Sequence, residues 1–340
     1  MNNTNLEINE ISNTQNKISL PAFAKINLTL DVCGVLPNGY HSLQMVMQSI
    51  DIFDTITVSK NDTGNITVSM NRPLPDNLPP EKNIAHKAAM KMKEKYSLSE
   101  GFDIYIEKNI PAAAGLAGGS TDCATTLKAI SKLCNLNLSN EELCEIGVTI
   151  GADVPFCVVG GTAFCEGIGE IITNLNSLKN IPLVLVKPKA SVSTQGIYQA
   201  YDKVENVIHP DNKTMLSYIE NFKTIEDCEP NSLNQISEDE SDSRVQNENC
   251  DTNSLLENAD NITKISSCLS NVLEYVTIPN NPIIDILKAR LLELGAAGSL
   301  MSGSGPSTYG LFTSYEDAQN AYEVLKTEFP ECEFFVTKTL

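Results

Sequence analysis

The sequence predicts a mixed α+β protein of two domains. Its 340 residues exceed the usual size of a single hydrophobic core. After residue 102, apolar residues alternate as in a strand, and beyond residue 124 they recur at threes and fours as in a helix. The composition changes at residues 180–182, where we place the domain boundary. The predicted division is a disordered tail at 1–17, a first domain at 18–180 and a second domain at 181–340.

Composition and charge exclude several classes of protein. No apolar run is long enough to span a bilayer, and Met1 to Asn16 lack the basic and apolar segments of a signal peptide, so we expect a cytoplasmic protein without a membrane partner. The net charge of −19 disfavours nucleic acid as a partner, because phosphate backbones bind basic surfaces. A nucleotide pocket remains open to such a protein, since local N–H groups suffice to bind phosphate.

The cysteines and histidines indicate neither disulfides nor a metal site. Most of the ten cysteines lie among apolar residues and no C-x-x-C pair occurs, so buried reduced thiols are expected. The three histidines, His41, His86 and His209, are scattered. A zinc site is therefore not predicted.

The first domain is predicted to begin with a strand over residues 18–33. Lys25 and Asn27 share one face of this strand, opposite an apolar face. A lysine here has a plain alternative role, as an edge-strand charge that discourages aggregation. A turn is predicted at residues 37–39, and Tyr40-His41 lie on the far side of this turn.

Three further elements are predicted before residue 110. They are a strand over 50–58, a loop over 60–80 and a helix over 81–96. Asn83 and His86 lie in the first turns of this helix, where solvent exposure is expected. A strand with Phe102, Ile104 and Ile106 on one face follows.

Residues 110–124 join this strand to the next helix through a loop of glycine and alanine. Small side chains allow a ligand to contact the backbone, and a helix start offers unpaired N–H groups, a combination that suits phosphate. The alternative is a tight turn with Ser120 or Thr121 as the helix N-cap. No Gly-Lys-Ser/Thr follows the glycines, which excludes a Walker A loop.

Beyond this helix, Ser139 and Glu142 form a capping-box pattern that predicts another helix. Asp153 follows, two residues before Pro155, and its plain alternative role is to cap a short helix. Two short strands are predicted over 162–166 and 170–173.

The second domain is predicted to begin with a strand over 183–187 and a helix opened by Ser193-Thr194 that carries Tyr198. Residues from about 226 to 262 form an acidic, low-complexity insertion, with eleven acidic residues against Arg244 between 226 and 260. Such a segment buries too little apolar surface to order itself, so we predict disorder or loose packing. The remaining predictions are helices over 264–275, 282–294 and 316–326, a second small-residue loop at 301–307 read either as a site or as a hairpin turn, and a strand over 333–337.

Five short segments, in this order, resemble the GHMP kinase superfamily, and more finely the 4-diphosphocytidyl-2-C-methyl-D-erythritol kinase family. They are Ala24–Leu28, Gly39–His41, Pro111–Ala124, Gly151–Phe156 and Met301–Gly305. The resemblance implies a two-domain α+β fold with a ribosomal-protein-S5-like N-terminal domain and a ferredoxin-like C-terminal domain. It also implies transfer of the γ-phosphoryl of ATP, with Mg2+, to a hydroxyl of a small cytidine diphosphate compound, giving a 2-phosphate.

The resemblance further implies roles for individual residues. Asp153 would be the general base and Lys25 would stabilise charge at the transferring group, while no protein metal ligand is named. The ATP-binding residues would be Asn83, Pro111, Ala112, Ala113, Ala114, Gly115, Leu116, Ala117, Gly118, Gly119, Ser120 and Thr121, and the substrate-binding residues would be Asn27, Tyr40, His41, Thr194 and Tyr198.

The acidic insertion is the larger departure from the family pattern, and the first loop departs from it in two further ways. Alanines replace some glycines of the loop, and Thr121 replaces a serine, so we expect altered phosphate contacts with retained activity.

Two other functions remain open. One is a GHMP kinase acting on mevalonate, homoserine or a sugar, against which Gly39-Tyr40-His41 argues. The other is a non-catalytic nucleotide sensor, against which retention of Lys25 and Asp153 argues. The oligomeric state is open.

Overall fold

The computed structural model describes residues 12–14, 16–72, 79–222 and 259–340. Within these ranges the chain forms two β-sheets, each with helices packed against it. No helix in the described ranges is long and apolar enough to cross a membrane.

The first sheet is built around two long antiparallel strands. It contains β1 (Ser12–Thr14), β2 (Lys17–Val35), β3 (His41–Asn61), β4 (Ile66–Met70), β5 (Gly101–Glu107), β6 (Thr162–Gly167), β7 (Ile171–Asn174) and β9 (Ser270–Asn271). The main path runs β1-β2-β3-β5-β4, with β6 and β7 added beside β3 and β9 beside β2. The pairs β4–β5 and β2–β9 are parallel, and the other pairs are antiparallel.

Four helices cover one region of this sheet: α1 (Ile84–Tyr96), α2 (Gly118–Leu133), α3 (Asn140–Val148) and α4 (Val154–Val159). The predicted alternation of β5 is confirmed, since Phe102, Ile104 and Ile106 are buried in the core between sheet and helices. The capping box of Ser139 and Glu142 is confirmed at the start of α3.

The second sheet contains β8 (Pro182–Lys187), β10 (Gly298–Met301), β11 (Thr308–Leu311) and β12 (Glu333–Lys338), in the antiparallel order β12-β8-β11-β10. The connections through α9 (Ile283–Glu293) and α10 (Tyr315–Glu328) give the β-α-β-β-α-β order of a ferredoxin-like unit. Because side chains alternate along β8, Leu183 and Leu185 pack towards the first half of the chain, whereas Val184 and Val186 pack with α9 and α10.

The other helices of the second half are α5 (Thr194–Tyr201), α6 (Asn212–Glu220), α7 (259–267) and α8 (Glu274–Asn280). Ser193 caps α5 as predicted, accepting a hydrogen bond from the backbone N–H of Gly196 at 3.3 Å. The predicted strands over 162–166, 170–173, 183–187 and 333–337 are all present.

Several sequence predictions are wrong. The loop predicted over 60–80 contains β4, whose alternation of single half-buried residues gives a weak pattern. The helix predicted over 264–275 is two helices separated by β9, because Ser270–Asn271 pair with β2. On α9, predicted as a helix over 282–294, the buried residues are Ile284, Leu287 and Leu291, and Ile286 is exposed.

The predicted tail and insertion also need correction at their edges. Residues 12–14 and 17 of the tail form strand around a turn at 16, and residues 259–262 of the insertion lie in α7, with Ile262 buried. The rest of both segments lies outside the described residues. Asn83 and His86 are buried rather than exposed, because the start of α1 packs into the protein.

Candidate active site

The two small-residue loops meet at Lys25, although they are far apart in the sequence. The backbone N–H of Lys25 donates to the carbonyl oxygen of Leu116 at 3.2 Å, which joins β2 to the first loop. A β-carbon at Gly303 of the second loop would lie 3.4 Å from the Lys25 ammonium. Glycine at this position therefore places no side chain against the ammonium.

The loops also contact each other directly. The Ser302 hydroxyl donates to the carbonyl oxygen of Gly115 at 3.0 Å. A β-carbon at Gly115 would lie 2.2 Å from the Ser302 carbonyl oxygen, and Gly115 has a φ of +75°, so the approach requires glycine on both steric and conformational grounds.

The second loop is a hairpin connection between β10 and β11, as the plainer prediction stated, and it is also held from outside by side chains that sequence reasoning missed. Asn271 on β9 donates at 2.8 Å to the carbonyl oxygens of both Met301 and Gly303. The carboxylate of Glu274 accepts the backbone N–H of Met301 at 2.9 Å. A polar residue in a two-residue strand gives no signal in the sequence pattern, so only the fold identifies Asn271.

Lys25 is buried, with 4% of its surface exposed, so the edge-strand interpretation of this residue is wrong. Its ammonium donates to the Asn27 side-chain oxygen at 2.6 Å, which confirms that the two residues share one face. The side-chain amide nitrogen of Asn27 lies 3.5 Å from the Met45 sulfur, and the backbone carbonyl oxygen of Asn27 accepts a hydrogen bond from the Tyr309 hydroxyl at 2.8 Å. These contacts hold the face of β2 that points towards the loops.

Helix α2 begins directly at the first loop without a side-chain cap. The N-cap residue is Ala117, in the left-handed region with a φ of 55°, and Ser120 and Thr121 lie within the first turn. The prediction that either hydroxyl caps the helix is therefore wrong. Because no side chain caps this helix, the first-turn N–H groups and these two hydroxyls remain at the loop, where an anion would bind.

Asp153 occupies the N-cap position of α4, but its carboxylate makes no capping hydrogen bond. The capping interpretation therefore does not account for this side chain. Burial, and after it the nearby Asp153 carboxylate, raise the pKa of the Cys157 thiol and of the Tyr198 phenol. Among the ion pairs of the described residues, none joins Asp153 to Lys25.

Three of the five predicted substrate residues lie in or beside α5. The rings of His41 and Tyr198 are stacked with centroids 4.9 Å apart, and the Asp202 carboxylate lies 2.7 Å from His41 Nε2. The Thr194 hydroxyl is 2.9 Å from the Ser304 hydroxyl of the second loop. Tyr40 is exposed. His41, Thr194 and Tyr198 thus come together, and sequence reasoning missed the carboxylate of Asp202.

Asn83 has a defined structural role. Its side-chain oxygen caps α1 by accepting the backbone N–H of Ala85 at 2.8 Å. A contact from its amide group to a nucleotide stays a prediction. Ile84, the next residue, lies 3.4 Å from the position of a β-carbon on Gly119, so α1 begins beside the first loop.

A buried cluster that sequence reasoning missed lies behind the first loop. The ammonium of Lys108 donates to the carboxylates of Asp54 and Asp122, the latter at 2.7 Å. The sequence indicates this cluster in part, because Asp54 lies on the apolar face of β3 between Ile52 and Ile56. A carboxylate there needs a buried partner.

The donor set does not form a protein metal cage. Among the described residues, no group of three or more His, Cys, Asp or Glu side chains is arranged to hold a metal ion. The described cysteines are all free, and burial raises the pKa of the Cys123 thiol to about 12.

Comparisons with known proteins identify relatives of this chain. Residues 83–161 match the family model for the GHMP kinases N terminal domain, and residues 249–331 match the model for the GHMP kinases C terminal domain. The chain is similar to a 4-diphosphocytidyl-2-C-methyl-D-erythritol kinase of Clostridium novyi (strain NT), with 40% identity over 322 residues, 94% of this chain and 99% of the relative.

Solved structures extend the comparison. A crystal structure of 4-(cytidine 5'-diphospho)-2C-methyl-D-erythritol kinase aligns with a TM-score of 0.69 and 25% identity, over 94% of this chain and 98% of the other. A homoserine kinase from Cytophaga hutchinsonii aligns with a TM-score of 0.65 and 18% identity, over 97% and 96% of the two chains. The second likeness shows the shared fold alone.

Proposed function

The chain belongs to the family of 4-diphosphocytidyl-2-C-methyl-D-erythritol kinases, and we propose that its Lys25 and Asp153 carry the phosphoryl transfer of this family. It is an ATP-dependent small-molecule kinase of isoprenoid biosynthesis. The acceptor is a hydroxyl of the methylerythritol part of the cytidine compound, and the product is its 2-phosphate. The supporting observation is the convergence of Lys25 with both small-residue loops.

In the proposed reaction, the acceptor hydroxyl oxygen forms a bond to the γ-phosphorus of ATP. The bond from that phosphorus to the β–γ bridging oxygen breaks, ADP leaves, and the hydroxyl proton passes to Asp153. Enzymes catalyse such transfers mainly through positioning and charge stabilisation. The uncapped carboxylate of Asp153 is free to accept the proton.

Lys25 is proposed to stabilise the charge that spreads over the transferring phosphoryl group. Its backbone is fixed to Leu116, while its ammonium has one described acceptor, the side-chain oxygen of Asn27. An ammonium has three donors, so two remain for phosphate oxygens. A preorganised charge of this kind in a buried site stabilises a transition state more than it would in water.

The first loop and the start of α2 are proposed to bind the ATP phosphates through backbone N–H groups and the hydroxyls of Ser120 and Thr121. Mg2+ would arrive on ATP and neutralise phosphate charge. Mg2+ commonly keeps waters and substrate phosphates as ligands, so this mode of binding requires no dedicated protein cage.

The cytosine is proposed to bind near His41, Tyr40 and Tyr198, with Asn27 and Thr194 as further polar contacts. An exposed tyrosine and a stacked imidazole provide the planar faces that a base requires. Because His41 already covers one face of Tyr198, the base would stack on the imidazole or displace it.

The test is ADP release with ATP and Mg2+ over a panel of acceptors: diphosphocytidyl-methylerythritol, methylerythritol phosphate, mevalonate and homoserine. Turnover of the cytidine compound alone supports the substrate assignment, and turnover of mevalonate or homoserine instead overturns it.

The variant Asp153→Asn tests the proposed base. It should lose turnover and still bind ATP, whereas Asp211→Asn, which alters a carboxylate that caps α6, serves as the matched control. Full turnover by Asp153→Asn would exclude this carboxylate as the base.

A further inference from the structure

Asp54, Lys108 and Asp122 join three segments of the chain, and together we call them the loop-entry clamp. Asp54 belongs to β3, Lys108 follows the end of β5, and Asp122 lies in the first turns of α2. The Lys108 ammonium donates to both carboxylates, so it connects the sheet to the helix.

The clamp also holds the entry of the first loop through its backbone. One carboxylate oxygen of Asp54 accepts the backbone N–H groups of Asn109 and Ile110, at 2.6 and 2.8 Å. The other oxygen accepts Lys108. Asp54 therefore fixes the two residues that precede Pro111, where the chain turns into the loop.

The exit of the same loop is held by the other half of the clamp. The Lys108 ammonium lies 3.5 Å from the position of a β-carbon on Gly118, the first residue of α2, and pairs with Asp122 four residues later. Both ends of the loop are thus held beside one ammonium group, which fixes their separation.

The composition of the clamp argues against a purely stabilising role. Asp54 and Asp122 are buried, and Asp122 Oδ1 has no hydrogen-bond partner among the described residues. Buried ion pairs are often matched or exceeded in stability by apolar side chains of similar volume. What apolar packing lacks is the direction that a carboxylate imposes on the N–H groups it binds.

We infer that the loop-entry clamp is a positioning unit for the nucleotide: it fixes both ends of the first loop so that its backbone N–H groups bind the ATP phosphates. The inference rests on the proposed function only in that this loop binds ATP.

The test measures the dissociation constant of MgATP by titration calorimetry, without an acceptor, for the wild type, Asp54→Asn and Asp122→Asn. Asp54→Asn should weaken ATP binding by about tenfold or more, since small displacements of binding groups carry large penalties. Asp122→Asn should have a smaller effect, because Asp54 alone accepts the loop N–H groups. Should Asp54→Asn fail to fold, weakened ATP binding by folded Asp122→Asn still supports the inference, and unchanged binding overturns it.

Leu287→Ala is the control for general destabilisation, since Leu287 is buried in the core of α9 and α10. It should bind ATP as the wild type does. With turnover measured, the KM for ATP should rise in Asp54→Asn while the KM for the cytidine acceptor stays the same. Unchanged ATP affinity in Asp54→Asn, or an equal loss in Leu287→Ala, overturns the inference. Failure of the wild type to turn over the cytidine acceptor would overturn the substrate assignment instead and leave the calorimetric comparison intact.

Discussion

Lys25, which is buried, and Lys108, which is half-buried, both lie beside the first loop, and their surroundings differ. Lys25 has a single described acceptor, the neutral side chain of Asn27, and glycine at position 303 places no side chain against its ammonium. Lys108 lies between two carboxylates. Burial lowers the pKa of Lys108, but Asp122 and Asp54 outweigh it and raise that pKa overall.

The difference separates a charge kept for a ligand from a charge used within the fold. An ammonium already paired with two carboxylates has little attraction left for phosphate, whereas one with spare donors is ready to bind it. Four substitutions test this comparison, and the strongest effect is expected at Lys108 itself.

Lys108→Met should lower the free energy of unfolding by about 3–5 kcal/mol, because it leaves the Asp54 and Asp122 carboxylates buried together without a cation. Urea unfolding measures the effect. Arg290→Met is the control, since its pairs with Glu293 and Glu328 are more exposed and should contribute much less to stability. Equal losses in the two variants would contradict the distinct role of Lys108.

Lys25→Met should lower kcat by about 10²–10³-fold, because the transferring phosphoryl loses a preorganised charge. The Asn27 oxygen loses its partner, so the free energy of unfolding should fall by only about 1–3 kcal/mol. The control is Lys187→Met, a buried lysine on β8 that donates to the carbonyl oxygens of Pro188 and Ala190 and should leave kcat unchanged. Near-normal turnover in Lys25→Met would contradict the proposed distinction between Lys25, whose charge serves the ligand, and Lys108, whose charge serves the fold.

Asp122→Asn should change how stability depends on pH. Burial, together with repulsion from Asp54, raises the folded-state pKa of Asp122 well above its ordinary value, against the attraction of Lys108. The native state therefore binds a proton at Asp122 more tightly than the unfolded chain does, and the stability this adds is full below the unfolded pKa and is lost as pH rises through the folded pKa. Urea unfolding from acid to neutral pH should show that the free energy of unfolding of the wild type falls relative to that of the variant. Parallel curves would contradict the shift.

Ala117→Gly should raise the free energy of unfolding by about 1 kcal/mol or less, because Ala117 has a φ of 55° and a left-handed alanine is strained, while glycine loses more entropy on folding. Ala114→Gly is the control at a residue of the same loop without positive φ, and it should destabilise. Thermal unfolding with and without ATP compares them. A loss of stability in Ala117→Gly would show that the loop does not strain this residue.

Some site properties follow from local sequence. The small side chains of residues 112–119 predict a backbone-lined loop because small residues leave the backbone accessible, and the strand before it and helix after it follow from hydrophobic periodicity. The alternation of Lys25 and Asn27 correctly predicts that they share a face. The Ser120 or Thr121 cap was wrongly predicted, since Ala117 in the left-handed region starts the helix.

The sequence by itself determined the order of the motifs, most of the strands and helices, and the family, because periods of two and about four residues and short motifs are local properties of a chain. Only the tertiary structure decided which distant residues meet. Ser302 contacts Gly115 across 187 positions, Asn271 holds the second loop, and Lys108 lies between Asp54 and Asp122. Such contacts depend on how two sheets and their helices pack, and no local pattern encodes the partner that a buried charge or carbonyl will find.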